Sequence, residues 1–174
     1  MWGSSPHFFL GLPMIADPLL DPIRRLLTEL GYELVDLRRG GTPARPVLRV
    51  RLDLPHSEPG RRVSADDCVR ASRALEHWLE GPGGLGGRYV LEVSSPGIER
   101  PVVFPEHWRR YAGREVRLRA ESLPGRPVAR VVALPDDGRV TLALADGREV
   151  TIPLAEIREA TLVVDWKTLG KRQE

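Results

Sequence analysis

The 174-residue chain is long enough for one or two small domains, each with its own core, and its 41% hydrophobic and 29% charged residues exclude a disordered protein. A net charge of +2, with 13 basic against 13 acidic residues as far as Pro101 and 13 against 11 beyond it, argues against a globally basic polyanion binder. The single cysteine, Cys68, forms no intramolecular disulfide, supplies no metal cluster and fits a reducing cytoplasm, and no run of 18 apolar residues exists to span a membrane.

In chain order, residues 1–16 come first, with an apolar centre but no preceding basic stretch. They read as a disordered or atypical extension rather than a signal peptide. Leu19, Leu20, Ile23, Leu26, Leu27 and Leu30 then recur at helical spacing, stopped by Gly31. Asp17-Pro18 and Asp21-Pro22 both read as a cap followed by a first helical residue. Starting at Asp17 would place Pro22 inside the helix, at the cost of one backbone bond.

A strand over Glu33–Arg38 follows. Gly40-Gly41-Thr42-Pro43 begins a loop, and Val47–Asp53 returns as a second strand, with Leu48, Val50 and Leu52 on one face and Arg49 and Arg51 on the other. The pair reads as a hairpin with a longer loop. Ser64-Ala65-Asp66-Asp67 opens a second helix with a capping box, and Cys68, Ala71, Leu75, Trp78 and Leu79 form its buried stripe. Gly81-Pro82 ends it, and the glycines that follow lack the lysine and hydroxyl of a phosphate-binding loop.

Tyr89, Leu91 and Val93 give a third strand one apolar face. Ser94-Ser95-Pro96-Gly97 then stops the ladder: Pro96 fixes its own φ, Gly97 permits positive φ, and Pro101 biases Arg100 towards extended backbone. The stretch reads as a stiff strap displaying Glu99 and Arg100. Beyond it Pro105–Tyr111 reads as a short helix stopped by Gly113. Strands are expected over Val116–Ala120, Val128–Leu134, Val140–Leu144, Val150–Leu154 and Leu162–Val164, with hairpin turns at Asp137-Gly138 and Asp146-Gly147 and one helical turn over Pro153–Ile157. Five such short strands close most economically into a small barrel. The fold class is therefore α+β: an N-terminal α-β-β-α-β domain, then a C-terminal β-barrel.

No catalytic constellation emerges. Ser94 and Ser95 lack the preceding glycine of a nucleophile elbow, and His7, His56, His77 and His107 form no metal-ligand pair. Asp66 and Asp67 are explained by the dipole of the helix they open. No enzyme, metal or cofactor is expected. Binding readings survive better. Backbone N–H groups across Ser95–Gly97 could face a phosphate as a nest, with Arg100 adding charge, or the strap could serve only to join two domains. Arg117 and Arg119 share one side of a strand, which reads either as a solvated face or as an RNA-facing surface.

Three segments carry a resemblance to one family: Gly31-Tyr32-Glu33-Leu34-Val35; Val63-Ser64-Ala65-Asp66-Asp67-Cys68 with Ser72-Arg73-Ala74-Leu75; and Leu91-Glu92-Val93-Ser94-Ser95-Pro96-Gly97-Ile98-Glu99-Arg100-Pro101. Over roughly residues 17–170 the chain resembles the bacterial ribosome maturation factor RimP family. That resemblance implies an α+β domain over 17–98, a linker over 99–104 and an SH3-like (Sm-like) β-barrel over 105–166, with 1–16 an extension and 167–174 a polar tail. It further implies a monomeric, cytoplasmic, non-enzymatic factor that binds the small (30S) subunit precursor, meaning 16S rRNA and ribosomal proteins, with no membrane, cofactor or small-molecule substrate. The residues expected to contact that partner or orient the domains are Ser95, Gly97, Glu99 and Arg100, with Arg117 and Arg119 as weaker contacts. The rival reading is a generic RNA-binding regulator that uses the barrel as its platform.

Overall fold

The computed structural model describes residues 17–56, 62–134 and 137–164. The expected extension over 1–16 and polar tail over 167–174 lie outside the described residues. The chain divides between Pro96 and Gly97 into two compact units.

In the first unit, helix α1 spans Leu20–Glu29 with Leu19 as its N-cap residue. The Asp17 carboxylate accepts the Leu19 N–H at 2.9 Å, so aspartate begins the turn that leads into the helix. Pro22 proves harmless: it is the third helical residue, whose N–H has no intrahelical partner in any α-helix, and the ladder begins with Ile23 N–H to Leu19 C=O. At the other end Gly31 takes φ 84°, the Gly31 N–H donates to Thr28 C=O, and Tyr32 N–H donates to Leu27 C=O. This is the double closure that a left-handed glycine makes possible.

Strands β1 (Glu33–Thr42) and β2 (Arg45–Asp53) are longer than the sequence suggested, and the expected loop between them shrinks to Pro43-Ala44, with Thr42 opposite Arg45. Gly41 makes this possible. Its φ is 78°, and a Cβ there would lie 2.3 Å from the Arg45 carbonyl oxygen. A register shift between Leu34 and Asp36 marks a bulge in β1.

Helix α2 (Ala65–Glu80) opens with the expected capping box: Asp67 N–H donates to Ser64 Oγ at 3.2 Å, and Ser64 N–H donates to the Asp67 carboxylate at 2.9 Å. It supplies the crossover that a parallel pairing needs. Strand β3 (Val90–Ser94) accordingly runs parallel to β2, giving the sheet order β1-β2-β3. The two helices touch each other as well as β1 and β3, so they cover one face of the sheet. Ile23, Leu27, Ala71, Leu75 and Leu79 from the helices are fully buried, as are Leu34, Leu37, Leu48, Val50 and Leu52 from the strands.

In the second unit, α3 (Pro105–Arg110) precedes strands β4 (Glu115–Ala120), β5 (Val128–Ala133), β6 (Arg139–Leu144), β7 (Glu149–Pro153) and β8 (Ile157–Leu162). All neighbours pair antiparallel, in the order β7-β6-β5-β4-β8. No pairing among the described residues joins β7 to β8, so the unit is mostly β without a closed ladder. The helical turn expected near Pro153 is a 3-10 turn over Leu154–Glu156. The final strand starts at Ile157, directly after that turn, rather than at the expected Leu162. Its Arg158 and Glu159 had masked the alternation that Ala160 completes. Trp108 is buried among Val116, Leu118, Val131, Val140 and Leu142, with Tyr111 packed beside them.

Candidate functional site

The strap leaves β3 with its backbone already committed. The Ser95 N–H donates to the Cys68 sulfur on α2; burial, followed by the Asp67 charge, raises the Cys68 thiol, which this bond partly offsets. One of the two N–H groups expected to form a phosphate nest, those of Ser95 and Gly97, is therefore used within the unit. Gly97 adopts φ 77°, as expected, and no atom lies within 4 Å of where its Cβ would be, so backbone conformation rather than crowding requires glycine there.

In the second unit the strap lies along β8 through an isolated bridge. Val102 N–H donates to Ala160 C=O and Leu162 N–H donates to Arg100 C=O, both at 2.9 Å, with Pro101 bridged to Thr161 between them. Proline fits that middle position because a strand's N–H groups alternate in direction, and the missing one is not needed on the β8 side. Arg100, expected to be displayed, is instead buried at 6% exposure. Anchoring the backbone on both sides of Pro101 turns its side chain inward, a consequence no local pattern reveals. Glu99 and Ile98 remain exposed.

Glu99 meets another expected contact. Its Oε1 lies 3.8 Å from Arg117 Nη1 on β4, with both side chains about half exposed. Arg117 and Arg119 do share the outer face of β4, whose inward residues are Val116, Leu118 and Ala120. Around them the charges alternate: Arg130 pairs with Glu115 at 3.6 Å, Arg126 with Glu159 at 2.9 Å, and Arg158 with Glu121. Arg119 stands opposite Glu159 in register. The structure thus brings Glu99 to Arg117, and anchors Arg100 elsewhere.

A second charged face escaped the sequence search for contact residues. On the side of the three-stranded sheet that the helices leave uncovered, Asp36, Arg51 and Ser94 stand in one row across the strands, and Arg38, Arg49 and Glu92 in the next. Asp36 has no exposed surface, and its Oδ2 receives Arg38 Nε at 3.0 Å and lies 3.6 Å from Arg51 Nη1. Arg49 Nε donates to Glu92 at 2.7 Å. The alternation of Arg49 and Arg51 was a visible signal. The position of Asp36 was not, because the bulge changes which face it joins.

Other polar groups serve the frame. Tyr32 OH donates to the Asp67 carboxylate at 2.7 Å and accepts from Arg70, whose guanidinium lies over the tyrosine ring. The Ser64 backbone N–H, then the Ser64 hydroxyl and Tyr32, hold the Asp67 carboxyl down at about 2. Burial favours a raised pKa at Asp17, but the double hydrogen bond and charge of Arg39, together with the Leu19 N–H, outweigh it and keep the group ionised to lower pH. Among the described residues no three His, Cys, Asp or Glu side chains gather to hold a metal, and no helix is long and apolar enough to cross a membrane.

Residues 22–99, which run from the first turn of α1 to the strap, match the family model described as the RimP N-terminal domain.

Proposed function

We propose that this chain, which belongs to the RimP family through residues 22–99, is a ribosome maturation factor that acts by binding the small-subunit precursor, 16S rRNA together with ribosomal proteins. The match carries the reading because it covers the whole N-terminal fold together with the Ser-Ser-Pro-Gly strap, rather than a short motif. The strand order of the second unit supports an SH3-like (Sm-like) barrel: the first strand, β4, pairs with both the second and the last, and a 3-10 turn precedes that last strand. The factor works as a cytoplasmic monomer without bond chemistry, cofactor or small-molecule substrate.

Its physical action is a population shift. A factor that binds the assembly-competent arrangement of rRNA and protein more tightly than a misassembled one favours the former by that difference in affinity, and it must then leave. In this reading Glu99, Arg117 and Arg119 contribute to the docking surface from β4 and the strap. Ser95, Gly97 and Arg100 set the path along which the chain leaves β3 and joins β8.

Sedimentation tests the proposal. The purified chain should comigrate with small-subunit precursors and release from mature ribosomes, and cells lacking it should accumulate immature small subunits. Equal binding to short free RNA and to precursors would favour a generic RNA regulator instead.

A further inference from the structure

Arg38, Arg49 and Arg51 project from the face of the β1-β2-β3 sheet that the helices leave uncovered, and the placement of two of them opposes folding. Arg38 stands directly opposite Arg49 across an antiparallel pair, and like charges in that relation repel. Asp36 and Glu92 are the carboxylates that pair with these arginines, and Glu33 and Asp53 stand further along the same face.

Asp36 makes the arrangement directional. A carboxylate with no exposed surface is expensive to bury, and its Oδ1 has no hydrogen-bond partner among the described residues. Its Oδ2 fixes two guanidinium groups from opposite sides, one on its own strand and one across the hairpin. Both arginine side chains remain about a third exposed, at 31% and 32%, so a ligand in solvent can reach them. A guanidinium held through Nε, as Arg38 is, presents its two Nη groups as a planar fork. That fork matches two oxygens of a phosphate, a geometry that lysine cannot supply. Fixing it in advance removes side-chain entropy that binding would otherwise have to overcome.

We propose that this sheet face is an RNA-backbone site in which Arg38, Arg49 and Arg51 contact phosphates and buried Asp36 is the positioning residue that orients two of them. The site rests on the ribosomal reading above and places its RNA contact on the N-terminal unit.

The test is a titration of the full chain with an in-vitro transcript of small-subunit rRNA, repeated between about 50 and 200 mM salt. Arg38→Gln and Arg51→Gln should each lower the slope of log affinity against log salt by about one and weaken binding roughly fivefold to tenfold. Arg148→Gln, on a hairpin of the other unit, should leave the slope unchanged. Asp36→Asn separates positioning from bulk charge, because it removes a negative charge from the patch. Charge alone predicts tighter binding; the positioning role predicts weaker binding in a variant whose circular dichroism remains native. Unchanged slopes for folded arginine variants, or tighter binding by Asp36→Asn, overturn the site. Losses seen on precursor particles but not on the bare transcript also overturn it, in favour of a protein partner. A wild-type chain that ignores the transcript yet binds precursor particles removes the RNA site and leaves the maturation role standing. A chain that ignores both removes the maturation role itself.

Discussion

The two sheets carry arginines on their outer faces in opposite ways. On the five-stranded sheet Arg117, Arg126, Arg130 and Arg158 each answer a carboxylate of their own, and the paired side chains are between 43% and 63% exposed. On the three-stranded sheet Arg38 and Arg51 both reach one carboxylate, Asp36, which is wholly buried. Exposed pairs of the first kind contribute about 0–1 kcal/mol and rearrange easily. A buried carboxylate cannot be exchanged for solvent, so it fixes where its partners stand. The pairs on the first face are adaptable; the buried carboxylate on the second holds its arginines in a set geometry.

Removing each carboxylate should expose that difference. Asp36→Ala leaves Arg38 and Arg51 without their shared acceptor, beside a third arginine. The expected loss is about 2 kcal/mol, the scale of hydrogen bonds to charged groups. Glu115→Ala, which deletes the exposed partner of Arg130, should cost less than about 0.5 kcal/mol. Chemical denaturation of both variants measures the pair, and equal losses would show that burial does not set the distinction.

Asp67 lies between these extremes, partly covered and bonded to Ser64 and Tyr32. Ser64→Ala removes the side-chain half of the capping box and should cost about 1 kcal/mol. The pH dependence has a definite sign. The Asp67 carboxyl sits at about 2 in the folded chain against about 3.9 unfolded, so its contribution is complete above the unfolded value and disappears as pH falls through the folded one. The melting-temperature gap between wild type and Asp67→Asn should therefore be constant near neutrality and close between about pH 4 and pH 2.

The same contrast marks what could be read from the residues alone. Frames built on periodicity were legible: the apolar alternation of Leu48, Val50 and Leu52, the stripe of Ala71, Leu75 and Leu79, and the Ser64–Asp67 cap all follow from spacing that local geometry enforces. Features decided by pairing partners were not. The short turn between β1 and β2 depends on the Arg45 carbonyl approaching Gly41, and the bulge that turns Asp36 towards Arg51 depends on register with β2. Arg100 looked exposed because its neighbours are Glu99 and Pro101. It is buried because Arg100 C=O and Val102 N–H pair with β8, about 60 residues further along the chain. For contact residues, the strap was conspicuous by composition, whereas the Asp36 cluster draws on two strands and a register irregularity.

The smallest expected effect is also the sharpest check on how the strap is held. If its backbone bonds to β8 fix it, the Glu99–Arg117 pair adds little, since the groups are 3.8 Å apart and both are open to water. Glu99→Ala, Arg117→Ala and the double variant should give a coupling energy within about 0.5 kcal/mol of zero, shrinking further as salt screens the charges. Hydrogen exchange at Val102 and Leu162 should stay protected in all three, because those N–H groups donate to the paired backbone whatever stands at position 99. A coupling well above that range, with faster exchange at Val102 in Glu99→Ala, would mean that the exposed pair orders the strap. The five-stranded sheet would then rely on its surface charges in the way the three-stranded sheet relies on its buried one.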